Sequence, residues 1–220
     1  MSNIINAIIM EIHRNIMKGK FIVLEGIDKS GKTTLSQSLF SRIGAMNMDV
    51  VLTHEPTEHI DDGLGILDKL DRDDYFILTA MFLRDRIAHN RMIEDDLKRN
   101  RIVICDRYSL STMAYQGVFF RQRFENDDRF YQWMESTLSI SHIQPDLTIF
   151  IDFDAEMFMN RNTSHGKLKM FEKEEYLRSV YAIYMQSIER KILSREFLII
   201  PGNMSREDME ETALRKIMEL

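Results

Sequence analysis

The stretch Gly26-Ile27-Asp28-Lys29-Ser30-Gly31-Lys32-Thr33 constrains this chain more than any other. It fits G-x-x-x-x-G-K-[ST], and it stands in the context that gives the pattern physical meaning. The apolar run Phe21 to Glu25 reads as a strand before it, and Leu35, Leu39 and Ile43 fall at helical spacing after it. Two glycines let the backbone curl so that several N–H groups point at one anion. The start of the following helix adds positive potential there. Gly26 to Thr34 therefore read as a nucleoside-triphosphate loop. Lys32 is placed to reach the β- and γ-phosphates, and the Thr33 hydroxyl to ligate Mg²⁺. The loop alone does not separate a kinase from a GTPase or an ATP-driven machine.

The same strand-then-helix rhythm runs through the whole chain. Phe21 to Glu25, Val50 to Thr53, Ile102 to Cys105, Leu147 to Ile151 and Phe197 to Ile200 are five candidate strands. Their near-continuous apolarity suits a parallel sheet buried on both faces. Helical patterns such as Tyr75, Leu78, Thr79 and Phe82 lie between them. This alternation predicts one doubly wound α/β domain over residues 19–220, with its site beyond the carboxyl ends of the strands. With only three prolines and nine glycines, the chain shows no linker, and it shows no repeat. Ile4, Ile5, Ile8, Ile9, Ile12 and Ile16 predict an amphipathic helix in an N-terminal extension, residues 1–18. It reads as a packing or dimer-edge helix, or as a start assigned too early with Met17 the true first residue.

Composition narrows the class. Of 220 residues, 44% are hydrophobic and 29% charged, which is a globular balance. The net charge of −6 argues against nucleic acid or an anionic membrane as a partner. No apolar run is long enough to span a bilayer. The single cysteine, Cys105, fits a reducing, cytoplasmic setting.

A hydrolase must place water beside the γ-phosphate. A kinase must hold a second substrate there, so it needs extra arginines and an acceptor pocket. Asp106 ends an apolar strand, where it can bind Mg²⁺ through water or orient an acceptor oxygen, and Arg107 beside it can clamp a phosphate. Phe82 and Arg86 are four apart on a helix, so one face offers a ring for a base and a guanidinium for a phosphate. Ser111 and Tyr115, also four apart, offer a hydroxyl and a phenol to a base and sugar. No N-K-x-D-like guanine motif is present, so GTP is not expected.

Together FIVLEGIDKSGKTT (21–34), THEPT (53–57), FLRDR (82–86), DRYSLSTMAYQG (106–117), QPDLTIFID (144–152) and FEKEEYL (171–177) resemble the thymidylate kinase family from about Lys20 onward. The resemblance implies a three-layer P-loop fold with a five-stranded parallel sheet and a short helical lid at about 161–173. It also implies a homodimer, paired through the helix holding Phe82 to His89, that passes the γ-phosphoryl group of ATP to dTMP with Mg²⁺; the alternatives are a kinase of the same fold acting on another deoxynucleoside monophosphate or a nucleoside, and a non-catalytic nucleotide-binding regulator. In that reading Phe82 stacks on thymine, Ser111 bonds near its edge, and Tyr115 crowds the deoxyribose. Asp28 meets the 3′-hydroxyl, Arg86 and Arg107 hold the acceptor phosphate, and Glu55 helps to position that phosphate or a metal-bound water. Lys32, Lys29, Asp106 and Arg107 form the catalytic set, with Thr33 and Asp106 near the metal. The chain departs from the family at two places. His54 stands where many bacterial relatives have arginine, and Lys169-Met170-Phe171-Glu172 lacks the lid arginine. The resemblance then assigns the catalytic cation to Lys29 of the loop, assisted by Arg161, Lys167 and Lys169 of the lid. The tract Phe119 to Arg129 has no functional assignment.

Overall fold

The computed structural model describes residues 18–57, 74–161 and 173–220. All five expected strands are present, each ending within a residue of its expected limits. They are β1 (Lys20–Glu25), β2 (Val50–His54), β3 (Ile102–Asp106), β4 (Leu147–Asp152) and β5 (Phe197–Pro201). They form one sheet in the order β2-β3-β1-β4-β5, and every pairing is parallel. Seven helices appear among the described residues: α1 (Lys32–Ala45), α2 (Asp74–Lys98), α3 (Ser109–Arg121), α4 (Asp127–Ser139), α5 (Ala155–Arg161), α6 (Glu174–Glu189) and α7 (Arg206–Met218). The expected α/β fold is the observed one. Of the expected N-terminal helix only Lys18 is described, and Lys167 and Lys169 of the expected lid lie outside the described residues.

The continuous apolar runs are explained by burial on both faces. Phe21 and Val23 pair in register with Val103 and Cys105, and this set packs on Ile93 and Leu97 of α2. The alternate residues Ile22, Leu24, Ile104, Ile149 and Ile151 join the larger core with Leu35, Leu39 and Ile43 of α1. α1 and α7 pack together, while α2 lies against α3 and α3 against α4 and α6. Gly117 allows that last junction: a Cβ there would lie 2.9 Å from the Phe130 ring of α4. The tract Phe119 to Arg129 finishes α3, turns and starts α4, with Asn126 capping the new helix through Arg129 N.

Topology places the site. β1 is central, with β3 on one side and β4 on the other, so the connections leaving β1 and β3 diverge above this point. Leu24 and His54 both stand level with Asp106, which brings three strand ends to one edge. The floor is braced by Tyr108, whose hydroxyl donates to Asn90 Oδ1 at 2.6 Å and accepts from Ile143 N at 2.9 Å. Next to Ile143, the ring of His142 packs on Tyr108, and its Nδ1 lies 2.9 Å from Ser109 Oγ.

Burial, then the nearby Arg86 charge, pushes His142 down to about 4. The unfolded chain therefore holds the proton more tightly, and stability falls as pH drops from about 6.5 to 4. One site shifted this far contributes up to about 3 kcal/mol. Urea unfolding followed across that window is expected to show this loss, and His142→Asn is expected to remove most of its share.

Candidate active site

The loop between β1 and α1 is shaped for an anion. Gly26 and Gly31 have φ of 144° and 107°, and a Cβ on Gly26 would lie 2.9 Å from Ile151 O. Gly31 begins α1 with no side-chain cap, and the first turn holds no acidic residue, so no side chain competes for its amides. Lys32 is buried, and its ammonium donates to Ile27 O at 2.7 Å. Burial and the charge of Arg107 pull its pKa down to about 7, against the opposing pull of Asp28, Asp106 and Glu25. A phosphate arriving there would add to that opposing pull and favour the charged ammonium.

Thr33 Oγ1 donates to Asp106 Oδ2, while Asp106 Oδ1 is buried with no hydrogen-bond partner among the described residues. A hydroxyl and an unsatisfied carboxylate oxygen at the anion loop are the donor types a Mg²⁺–nucleotide needs. No group of three or more His, Cys, Asp or Glu among the described residues is built to hold a metal without such a ligand.

Lys29, Ser30 and Thr34 continue the loop. Lys29 has φ of 62°, its carbonyl accepts from Arg161 Nη1 at 2.9 Å, and its ammonium stands 5.1 Å above the Phe158 ring. α5 thus grips the loop tip through Phe158 and Arg161. Ser30, Gly31, Thr34, Arg161 and Arg206 line an adjoining cleft of about 550 Å³. Ile27 is fully buried.

On the other side of the loop lies a second cavity, of about 210 Å³. Asp28, Glu55, Phe82, Arg86, Arg107, Ser111 and Tyr115 all line it. Residues from four separate segments of sequence are thereby brought together. Asp28 N donates to the Tyr115 hydroxyl at 3.0 Å, and Arg107 pairs with Asp28 and stacks 5.4 Å from the Tyr115 ring. Arg107 is held in a left-handed turn, φ 70°, directly after β3.

Arg86 is 1% exposed. Its Nε and Nη2 donate to Glu55 Oε2 at 2.9 and 2.7 Å, and Nη2 also donates to Thr112 Oγ1 at 2.8 Å. Nη1 is buried and has no partner among the described residues. Glu55 faces Arg86 with one oxygen and His89 with the other, 3.1 Å from Nδ1. Asp85 accepts from the amide and hydroxyl of Thr57, so successive residues of α2 hold both ends of the segment after β2. His54 is exposed, and its Nδ1 donates to Pro56 O at 2.9 Å.

Sequence reasoning did not single out several members of this site. Thr112 and Gln116 are buried, four apart, and line the cavity. The spacing that selected Ser111 and Tyr115 applies equally one residue later. Ser111 turns partly away, donating to Glu25 Oε2 at 2.6 Å and accepting from Arg107 Nη1 at 3.2 Å. Glu25 is fully buried and accepts from the amides of Tyr108 and Ser111 at the start of α3. Burial raises its pKa, although these bonds and Arg107 counteract it. Its signal in the sequence was a carboxylate closing an otherwise apolar strand.

Removing Glu55 would leave a buried guanidinium uncompensated. Glu55→Ala is expected to lower unfolding stability by about 3–5 kcal/mol in urea titrations. The double variant with Arg86→Met is expected to lose less than the two single changes summed.

Residues 24–213 match the family model described as thymidylate kinase. The chain is 38% identical over 165 residues to a probable thymidylate kinase of Thermoplasma acidophilum, covering 74% of this chain and 81% of that protein. It is 34% identical over 205 residues to one from Methanosarcina barkeri, covering 92% and 98%, and 32% identical over 193 residues to one from Methanocaldococcus jannaschii, covering 87% and 90%. With the loop, the sheet order and the arginine-lined cavity in place, these matches establish that the chain belongs to the thymidylate kinase family.

Proposed function

We infer that this protein transfers the γ-phosphoryl group of ATP to dTMP, forming dTDP and ADP. The observation that carries the reading is the pair of clefts flanking one anion loop, with two arginines on the side away from α1. An acceptor-phosphate oxygen of dTMP attacks the γ-phosphorus, the bond to the β–γ bridging oxygen breaks, and that oxygen leaves with ADP.

Lys32 and the open amides of α1 would hold the β- and γ-phosphates. Arg86, through Nη1, which has no partner among the described residues, and Arg107 would hold the acceptor phosphate and bring two anions into line. Phe82, Leu78 and Tyr115 would enclose the base and sugar, and Gln116 offers both a donor and an acceptor to the base edge. Tyr115 bonded to Asp28 would leave little room for a 2′-hydroxyl. Lys29 and Arg161 would bring cationic charge toward the transferring group when ATP is bound. Mg²⁺, held by Thr33 and through water by Asp106, would supply charge neutralisation on the donor phosphates.

The enzyme is proposed to work in the cytoplasm as a homodimer. Ile77, Ile87 and Met92 of α2 are exposed apolar residues that a second copy would cover, and no helix among the described residues is long and apolar enough to cross a membrane.

ADP formation with ATP and Mg²⁺ would be measured against dTMP, dUMP, dCMP, dGMP, UMP, thymidine and no acceptor. dTMP is expected to give the highest kcat/KM. Lys32→Ala and Arg86→Ala are each expected to reduce it by at least about 100-fold. Equal stimulation by UMP, or turnover independent of any acceptor, would overturn the reading.

A further inference from the structure

The buried chain Thr53–His89–Glu55–Arg86 reaches the acceptor cavity from behind. We propose that His89 is a positioning residue for acceptor-phosphate binding: it fixes the Glu55 carboxylate, and through it the orientation of Arg86. This rests on the reading of the cavity as the site for a nucleoside monophosphate.

His89 is 2% exposed and lies three residues after Arg86, so both project from one side of α2. It does not line the cavity. A carboxylate can only accept, so His89 Nδ1 carries the proton in its 3.1 Å contact with Glu55 Oε1. In the neutral ring Nε2 then accepts, and Thr53 Oγ1 donates to it at 2.7 Å. Glu55 therefore selects the tautomer, and Thr53 holds the other ring nitrogen in place.

The consequence falls on Glu55. Its Oε1 is taken by the ring, and only Oε2 is left to Arg86, which meets it with Nε and Nη2. Without the ring, Oε1 loses its donor and the carboxylate is free to turn against Arg86 Nε and Nη2, taking the guanidinium with it. His89 thus keeps Glu55 sharing one oxygen, and holds Nη1, which has no partner among the described residues, in one orientation for a phosphate oxygen. Thr112 Oγ1, accepting from Nη2, holds the far edge of the guanidinium in the same plane.

The test is a comparison of His89→Leu, His89→Asn and Thr53→Val with the unaltered protein, by steady-state kinetics and thermal unfolding. His89→Leu is expected to raise the KM for dTMP about tenfold while leaving the KM for ATP within twofold. Asn places an amide donor near the position of Nδ1, so His89→Asn is expected to restore most of the dTMP KM. Thr53→Val is expected to move it in the direction of His89→Leu, by a smaller factor. A purely structural role would instead lower kcat with the folded fraction and leave the dTMP KM alone. If folded His89→Leu has the unaltered dTMP KM, or Asn is no better than Leu, the inference is overturned while the dTMP reading stands. If the unaltered protein shows no dTMP-dependent ADP formation, that reading fails and the inference falls with it.

Discussion

A guanidinium almost entirely removed from water needs a carboxylate beside it, and the arrangement of this site follows from that requirement. Arg86 projects from α2, Glu55 from the segment after β2, and Thr112 from α3. One ion pair thus ties a sheet edge to two helices. The ring of Tyr108, 5.0 Å from the guanidinium carbon, closes the other side and belongs to the turn that carries Arg107. The two arginines of the cavity are therefore mechanically linked, and neither is a mobile surface cation.

The anion loop uses the opposite strategy. There the charge comes from backbone amides and from a lysine that burial makes reluctant to hold its proton. An ammonium can follow phosphates that move during transfer, whereas Arg86 is locked in plane. The two sides meet at Asp28, which belongs to the anion loop and pairs with Arg107 across the cavity.

Much of the fold was legible because parallel strands buried on both faces carry near-continuous apolar sequence, and the five runs ended almost where the strands do. The anion loop was legible because backbone geometry there demands glycine. Phe82 and Arg86 were found because helical spacing put them on one face. The same logic could not choose between Ser111/Tyr115 and Thr112/Gln116, since both pairs have the right spacing and only packing against α2 and α6 decides which atoms reach the cavity. Glu25 and His89 were missed for a related reason. Their partners lie at sequence separations of 83 and 34 residues, and no local pattern announces such a contact. Glu55 was expected to help position the acceptor phosphate or metal water; it lines the cavity, and its oxygens face Arg86 and His89.

Two of the atoms left without partners among the described residues, Arg86 Nη1 and Asp106 Oδ1, belong to residues proposed to meet the acceptor phosphate and the metal. A buried polar atom with no partner typically weakens a fold by about 1–3 kcal/mol. A nucleotide that pairs these two atoms on binding would lift that cost. Substrates would then act as part of the folded structure, and the population of intact molecules would rise with nucleotide supply.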